Sequence, residues 1–136
     1  MDAPDQSIVV AMRSLIEANR NVRTVLARAE ELLAQGVARL EAGERPTEIL
    51  ATVPASAQRQ ATQDALDGAA AARHELRLQM IAACLADGMT PRQIADAWGV
   101  SRQRADRFVQ EIRRGSDDGS TTGALAGDAG GGRPAE

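Results

Sequence analysis

The chain has 136 residues, and 43% of them are apolar, but 27 of these are alanine and only Phe108 and Trp98 are aromatic. That is a one-domain length with a thin supply of large core side chains, and so few aromatic residues exclude a typical all-β sandwich. A net charge of −3 excludes a uniformly basic nucleic-acid coat, and one cysteine excludes an internal disulfide framework; with a single histidine beside it there is no ordinary zinc site.

No run of about 20 apolar residues is present, and Met1-Asp2 lacks the basic-then-apolar opening of a signal peptide. The expectation is a cytoplasmic protein with no membrane association and no cofactor. The charge is unevenly divided: residues 1–87 hold 9 Arg and 12 acids, residues 88–114 hold 6 Arg and 3 acids, and residues 115–136 hold 1 Arg and 4 acids. A short basic module inside an acidic chain is the pattern of a confined phosphate-facing surface.

From Ser7 to Ala42 there is no Pro and the only Gly is Gly36, and the apolar residues follow a heptad. With Met12 at an a position, the a set is Met12, Asn19, Leu26, Leu33 and Leu40, and the d set is Ile8, Leu15, Val22, Ala29 and Gly36. Asn at an a position either fixes register between paired helices or is simply exposed. Val9, Ile16, Val25, Leu32 and Val37 widen the stripe, so this helix needs a partner helix. Either a second chain supplies it, giving a homodimer through residues 7–42, or the same chain folds back.

Gly43-Glu44-Arg45-Pro46 reads as a helix stop followed by a new helix start, whose short turn carries Ile49, Leu50 and Val53 before Pro54. From about Ala55 to Asp87 the pattern is helical again, first alanine-rich and then stronger at Leu76, Met80, Ile81, Cys84 and Leu85. Cys84 is in phase with Ile81 and Leu85 and reads as a small buried hydrophobe, and His74 as a solvated polar residue. The segment from Gly115 onward has 7 Gly in 22 residues and reads as a disordered acidic tail.

The most informative segment runs from Gly88 to Val109. Thr90 is an N-cap, Pro91 suits the first helical position, and Gln93 closes a capping box. Ile94, Ala95 and Trp98 form the buried face, and Gly99 ends the helix. Ser101 then caps a second helix with Ala105, Phe108, Val109 and Ile112 facing inward. Two short helices joined by a tight Gly-containing turn predict a helix-turn-helix.

Over Glu75 to Arg114 the segment resembles the helix-turn-helix units of bacterial regulators, resolvase-type recombinases and the promoter-reading domain of sigma factors. Ile94, Ala95, Trp98, Gly99, Val100 and Phe108 fit that pattern, and Ala105 departs from it, where most members carry a larger branched residue. The resemblance implies that the second helix enters the major groove. It places Arg102, Gln103, Asp106 and Arg107 outward at the start of that helix, where Arg bonds guanine and Gln bonds adenine. Arg92, Arg104, Arg113 and Arg114 are then better placed for phosphates, with Ser101 adding a hydroxyl. A recombinase would need a catalytic serine domain ahead of the long helix, and residues 1–74 offer none, so no enzyme is expected.

The predicted fold is all-α: a long N-terminal helical hairpin or coiled coil, a C-terminal helix-turn-helix and a disordered tail. Residues 1–74 form an oligomerisation or partner-binding arm, residues 75–114 the DNA-binding unit, and residues 115–136 the tail. The expected function is a small, nucleoid-associated, sequence-specific regulator that binds double-stranded DNA as a dimer. The alternative keeps the helix-turn-helix as a fold only, within a module that docks on polymerase, a sigma factor or a phage-packaging protein.

Overall fold

A computed structural model describes residues 3–121, which are helical throughout apart from short connections: α1 (Ala3–Glu41), α2 (Pro46–Thr52), α3 (Ala55–Ala86), α4 (Pro91–Trp98) and α5 (Arg102–Thr121). The chain divides into two compact units, Met1–Met80 and Ile81–Glu136, so the last residues of α3 belong to the second.

In the first unit, α1 and α3 pack as an antiparallel hairpin. The Gln58 side-chain amide donates to the Val25 carbonyl at 3.2 Å, and residues Ala3 to Ser14 of α1 share a groove with Ala72, Glu75 and Gln79 of α3. The sheltered file of α1 is Ile8, Ala11, Leu15, Ala18, Val22, Val25, Ala29, Leu32 and Gly36, at alternating spacings of three and four. The matching file of α3 is Gln58, Thr62, Ala65, Ala69, Ala72 and Leu76. The same chain therefore supplies the partner helix that the heptads require.

This seam is displaced from the a and d pairing that the sequence suggested. The d residues are sheltered, but with them goes the g file of Ala11, Ala18, Val25 and Leu32, while Met12, Asn19, Leu26, Leu33 and Leu40 remain exposed. The reason lies in α3, whose central face is alanine. Ala65 and Ala69 are buried there, and alanine loses no rotamer freedom on burial. The sheltered file is also free of polar residues, whereas the a file carries Asn19.

α1 ends where Gly43 takes φ 90°, a conformation that costs an L side chain energy and glycine little. The Gly43 N–H donates to the Leu40 carbonyl at 3.0 Å and the Glu44 N–H to the Arg39 carbonyl at 3.1 Å, capping the helix. Arg39 then fastens this turn to α2: its guanidinium pairs with Glu44 and donates to the Thr52 hydroxyl at 2.6 Å. Pro46 sits in the first turn of α2, the Glu48 carboxylate accepts from the Arg45 N–H at 3.1 Å, and Ile49 is buried.

The second unit is built on Ile81, Ile94 and Val109, one from each of α3, α4 and α5. Ile94 is 0% exposed, and Cys84, Leu85, Met89, Trp98, Phe108 and Ile112 close around this centre. α5 does not stop at Gly115 but continues to Thr121, so the start of the expected disordered tail is helical. A mid-helix glycine costs only about 1 kcal/mol, and each added residue extends a nucleus already formed. The Ser116 hydroxyl donates to the Ile112 carbonyl at 3.2 Å in the same stretch. The remainder of the expected tail, residues 122–136, lies outside the described residues.

Two outcomes follow from this packing. Ile94→Ala leaves a cavity at the meeting point of three helices and should destabilise the second unit by about 2–5 kcal/mol, read by chemical denaturation. In the first unit, the hydrogen bond from Arg39 holds Glu44 below the ordinary carboxylate pKa, against a smaller opposing effect of burial. A folded-state value below the unfolded one adds stability above the unfolded range, and that stability is lost as pH falls through the lowered value. Glu44→Gln should therefore melt slightly below the parent near neutral pH, and the difference should close in acid.

Candidate nucleic-acid interface

Local chemistry determines the geometry of the helix pair. The Gln93 N–H donates to the Thr90 hydroxyl oxygen at 3.2 Å, and the Thr90 N–H donates to the Gln93 side-chain carbonyl at 2.9 Å. This reciprocal cap, with Pro91 in the first turn, starts α4 at a defined residue. Gly99 ends α4 at φ 64° and ψ 31°, and the Val100 N–H reaches back to the Ala95 carbonyl at 3.1 Å. A Cβ at Gly99 would meet open space, so backbone conformation rather than room requires glycine there.

Ser101 caps α5, its hydroxyl oxygen accepting from the Arg104 N–H at 3.2 Å. Ala95 and Ala105, both buried, are the small residues of the inner faces of α4 and α5, with Ala105 0% exposed. The departure at Ala105 is thus accommodated within a closed core. Next to it lie Phe108, Val109 and Ile112, which complete the inner face of α5.

With the inner face of α5 defined, the outer face follows from about 100° of rotation per residue. Gln103, Arg107, Gln110 and Arg114 form the file directly opposite the core, and all four are exposed. Arg102, Asp106 and Arg113 lie on one flank of that file. Arg104 lies on the other, with its guanidinium 5.9 Å from the Phe108 ring centroid. Such stacking holds a cation in place while leaving its N–H groups available to an anion. Arg92 is exposed in the first turn of α4.

The grouping expected from sequence is therefore brought together in part. Gln103 and Arg107 point straight outward, Arg102 is exposed on a flank, and Asp106 is half-buried rather than fully outward. Arg113 and Arg114 are exposed but occupy different files, Arg114 being in line with Gln103 and Arg107. Gln110 was missed, although its spacing of three from Arg107 and four from Arg114 places it in the same file. Its amide has the donor and acceptor pair suited to an adenine edge. Among the described residues no group of three or more His, Cys, Asp or Glu side chains is placed to hold a metal, and no helix is long and apolar enough to cross a membrane.

In a comparison with protein families, residues 71–121 fit the homeodomain-like domain, a helix-turn-helix family. The match begins within α3 and ends with α5, and it takes in all three helices that meet at Ile94. It spans under half of the chain. No curated protein and no solved structure matches the chain.

The turn between α4 and α5 is testable at one backbone position. Gly99→Ala forces a side chain into the left-handed region and should cost about 1–2 kcal/mol. Gly99→Asn should cost less, since Asn tolerates that region better. Urea denaturation of the two variants against the parent checks the order.

Proposed function

We propose, from the homeodomain-like match over residues 71–121, that this protein binds double-stranded DNA in the major groove through residues 101–114 and acts as a sequence-specific transcriptional regulator. The observation that carries this reading is the outer face of α5. An exposed file of Gln103, Arg107, Gln110 and Arg114, flanked by Arg102, Arg104 and Arg113, stands opposite a core made of Ala105, Phe108, Val109 and Ile112.

In this reading Arg102, Gln103 and Arg107 meet base edges near the N-terminal end of α5, with Gln110 able to add an adenine contact. Arg guanidinium groups match guanine O6 and N7, and Gln side chains match adenine N6 and N7. Arg92, Arg104, Arg113 and Arg114 neutralise phosphates, and the Ser101 hydroxyl, while accepting from the Arg104 N–H, keeps its own hydrogen for a phosphate oxygen. Asp106 orients a neighbouring Arg or accepts from cytosine N4. The work is binding rather than catalysis, and the protein acts at the nucleoid.

Residues 1–74 serve in this reading as the arm through which the protein forms a homodimer, with residues 7–42 at the interface. Helix-turn-helix dimers read two half-sites, which raises both affinity and specificity over a single unit. A second reading is favoured by the exposed apolar side chains of the hairpin, Leu33 at 71% and Leu50 at 68% among them. In it the arm docks on a component of the transcription machinery and the helix-turn-helix is structural.

Side-chain truncations on α5 separate these readings. Truncating Arg102, Gln103 or Arg107 to Ala should cost roughly 1–3 kcal/mol on the cognate duplex and relax preference at one base position. Arg113→Ala and Arg114→Ala should weaken cognate and scrambled duplexes alike and lower the salt slope by about 0.9 for each phosphate no longer neutralised. Titrations at two salt concentrations, after selecting the cognate site from genomic fragments, provide the check. Equal losses from Arg102→Ala and Arg114→Ala on both duplexes would mean non-specific binding, and no DNA retention at all would favour the docking module.

A further inference from the structure

α1 carries a second heptad seam that the hairpin leaves uncovered. Met12, Ile16, Asn19, Arg23, Leu26, Glu30, Leu33, Val37 and Leu40 alternate in spacing between four and three, on a face distinct from the file that meets α3. Its large apolar members are exposed by between 42% at Leu26 and 71% at Leu33. At 1.5 Å per residue and one helix width, the stripe is about 42 Å long and roughly 400 Å² in face area, the size of the largest apolar patch on a typical monomer, which is often functional.

The charges in this seam identify its occupant. Only Arg23 and Glu30 are charged, they have opposite signs, and they stand three and four residues either side of Leu26. The ion pairs within α1 among the described residues are Glu17–Arg20 and Arg28–Glu31, so Arg23 and Glu30 are not engaged in them. We infer that the uncovered seam of α1 pairs antiparallel with the same seam of a second copy of this chain, with Leu26 at the two-fold axis. The inference rests on the reading of the protein as a dimer and names the face, direction and register.

Antiparallel pairing about Leu26 sets Met12 against the partner's Leu40 and Ile16 against the partner's Val37. Arg23 then faces the partner's Glu30, twice by symmetry. Parallel pairing would instead stack Arg23 on Arg23 and Glu30 on Glu30, two like-charge layers in one seam. Asn19 would meet its own copy in the parallel arrangement. In the antiparallel one it lies within a turn of the partner's Glu30, whose carboxylate accepts from its amide. One amide pair does not offset two layers of like charge inside an apolar seam.

The end of the stripe is shaped for this register. Leu33, Val37 and Leu40 of α1, with Leu50 and Val53, line an apolar groove of about 370 Å³. The partner's Met12 arrives there, an unbranched side chain that adapts to irregular apolar space.

The test uses the full chain without DNA, so that its outcome is independent of whether α5 reads bases. Sedimentation equilibrium at micromolar concentration should give a dimer. Arg23→Glu should weaken it by about ten-fold or more, and Arg23→Glu combined with Glu30→Arg should restore it. Both positions are exposed, and circular dichroism checks that the helices persist. In a Cys84→Ala background, chains carrying Met12→Cys and chains carrying Leu40→Cys should form a disulfide with each other and not with themselves, because only opposed Cα atoms come within about 7 Å. A monomer, a larger assembly, indifference to Arg23→Glu, or self-linking of Met12→Cys would each overturn the proposal. Loss of DNA binding with the dimer intact would instead overturn only the reading of α5.

Discussion

The contact of Ile81, Ile94 and Val109 is the constraint on which the candidate interface depends. Each residue comes from a different helix, so burying the three together sets α4 and α5 against the end of α3 in one step. Their packing decides which side of α5 faces inward, and every assignment of an outward residue is its complement. In a core with one Trp and one Phe, both only half-buried, the branched aliphatic residues carry this task. The alanines at 95 and 105 keep the inner faces of α4 and α5 small beside them.

Backbone chemistry supplies what packing alone does not. The Thr90–Gln93 cap determines where α4 begins, and Gly99 determines where it ends, leaving two residues before α5 starts. Ser101 then satisfies a donor that the first turn of α5 would otherwise leave open. The Arg side chains of this segment are carried on a helix pair with defined ends rather than on loops. That is the condition under which a side chain's number along a helix translates into a position along a groove.

The hairpin illustrates how a helix with more than one apolar face is resolved. α1 offers one wholly apolar file that includes Ala11, Ala18, Ala29 and Gly36 and a second file interrupted by Asn19, Arg23 and Glu30, and the alanine-rich α3 takes the first. What is left over is long, apolar and charge-patterned, and therefore able to be specific for a partner as well as sticky. Arg39 has a different part, because its contacts with Glu44 and Thr52 hold the turn that lets one chain supply both helices of the seam.

Much of this was legible in the sequence, because its signals are local. The helices around Gly43 and Gly99, the Thr90–Gln93 cap, the inward set from Ile94 to Ile112 and the basic segment 88–114 all follow from residue type and spacing within one or two turns. The helix-turn-helix is therefore legible in the sequence, and the family match over residues 71–121 agrees with it. Two features required the tertiary structure. The choice of the d and g file over the a and d file on α1 depended on packing against α3, some 40 residues away along the chain. The half-burial of Asp106 depended on the direction from which the core approaches α5. The continuation of α5 past Gly115 to Thr121 is by contrast local, since each residue extends helix already formed, and glycine content alone does not register it. Sequence determines which faces a helix can bury, and only the packed chain determines which of them it does, because that choice is made jointly with a helix distant along the chain.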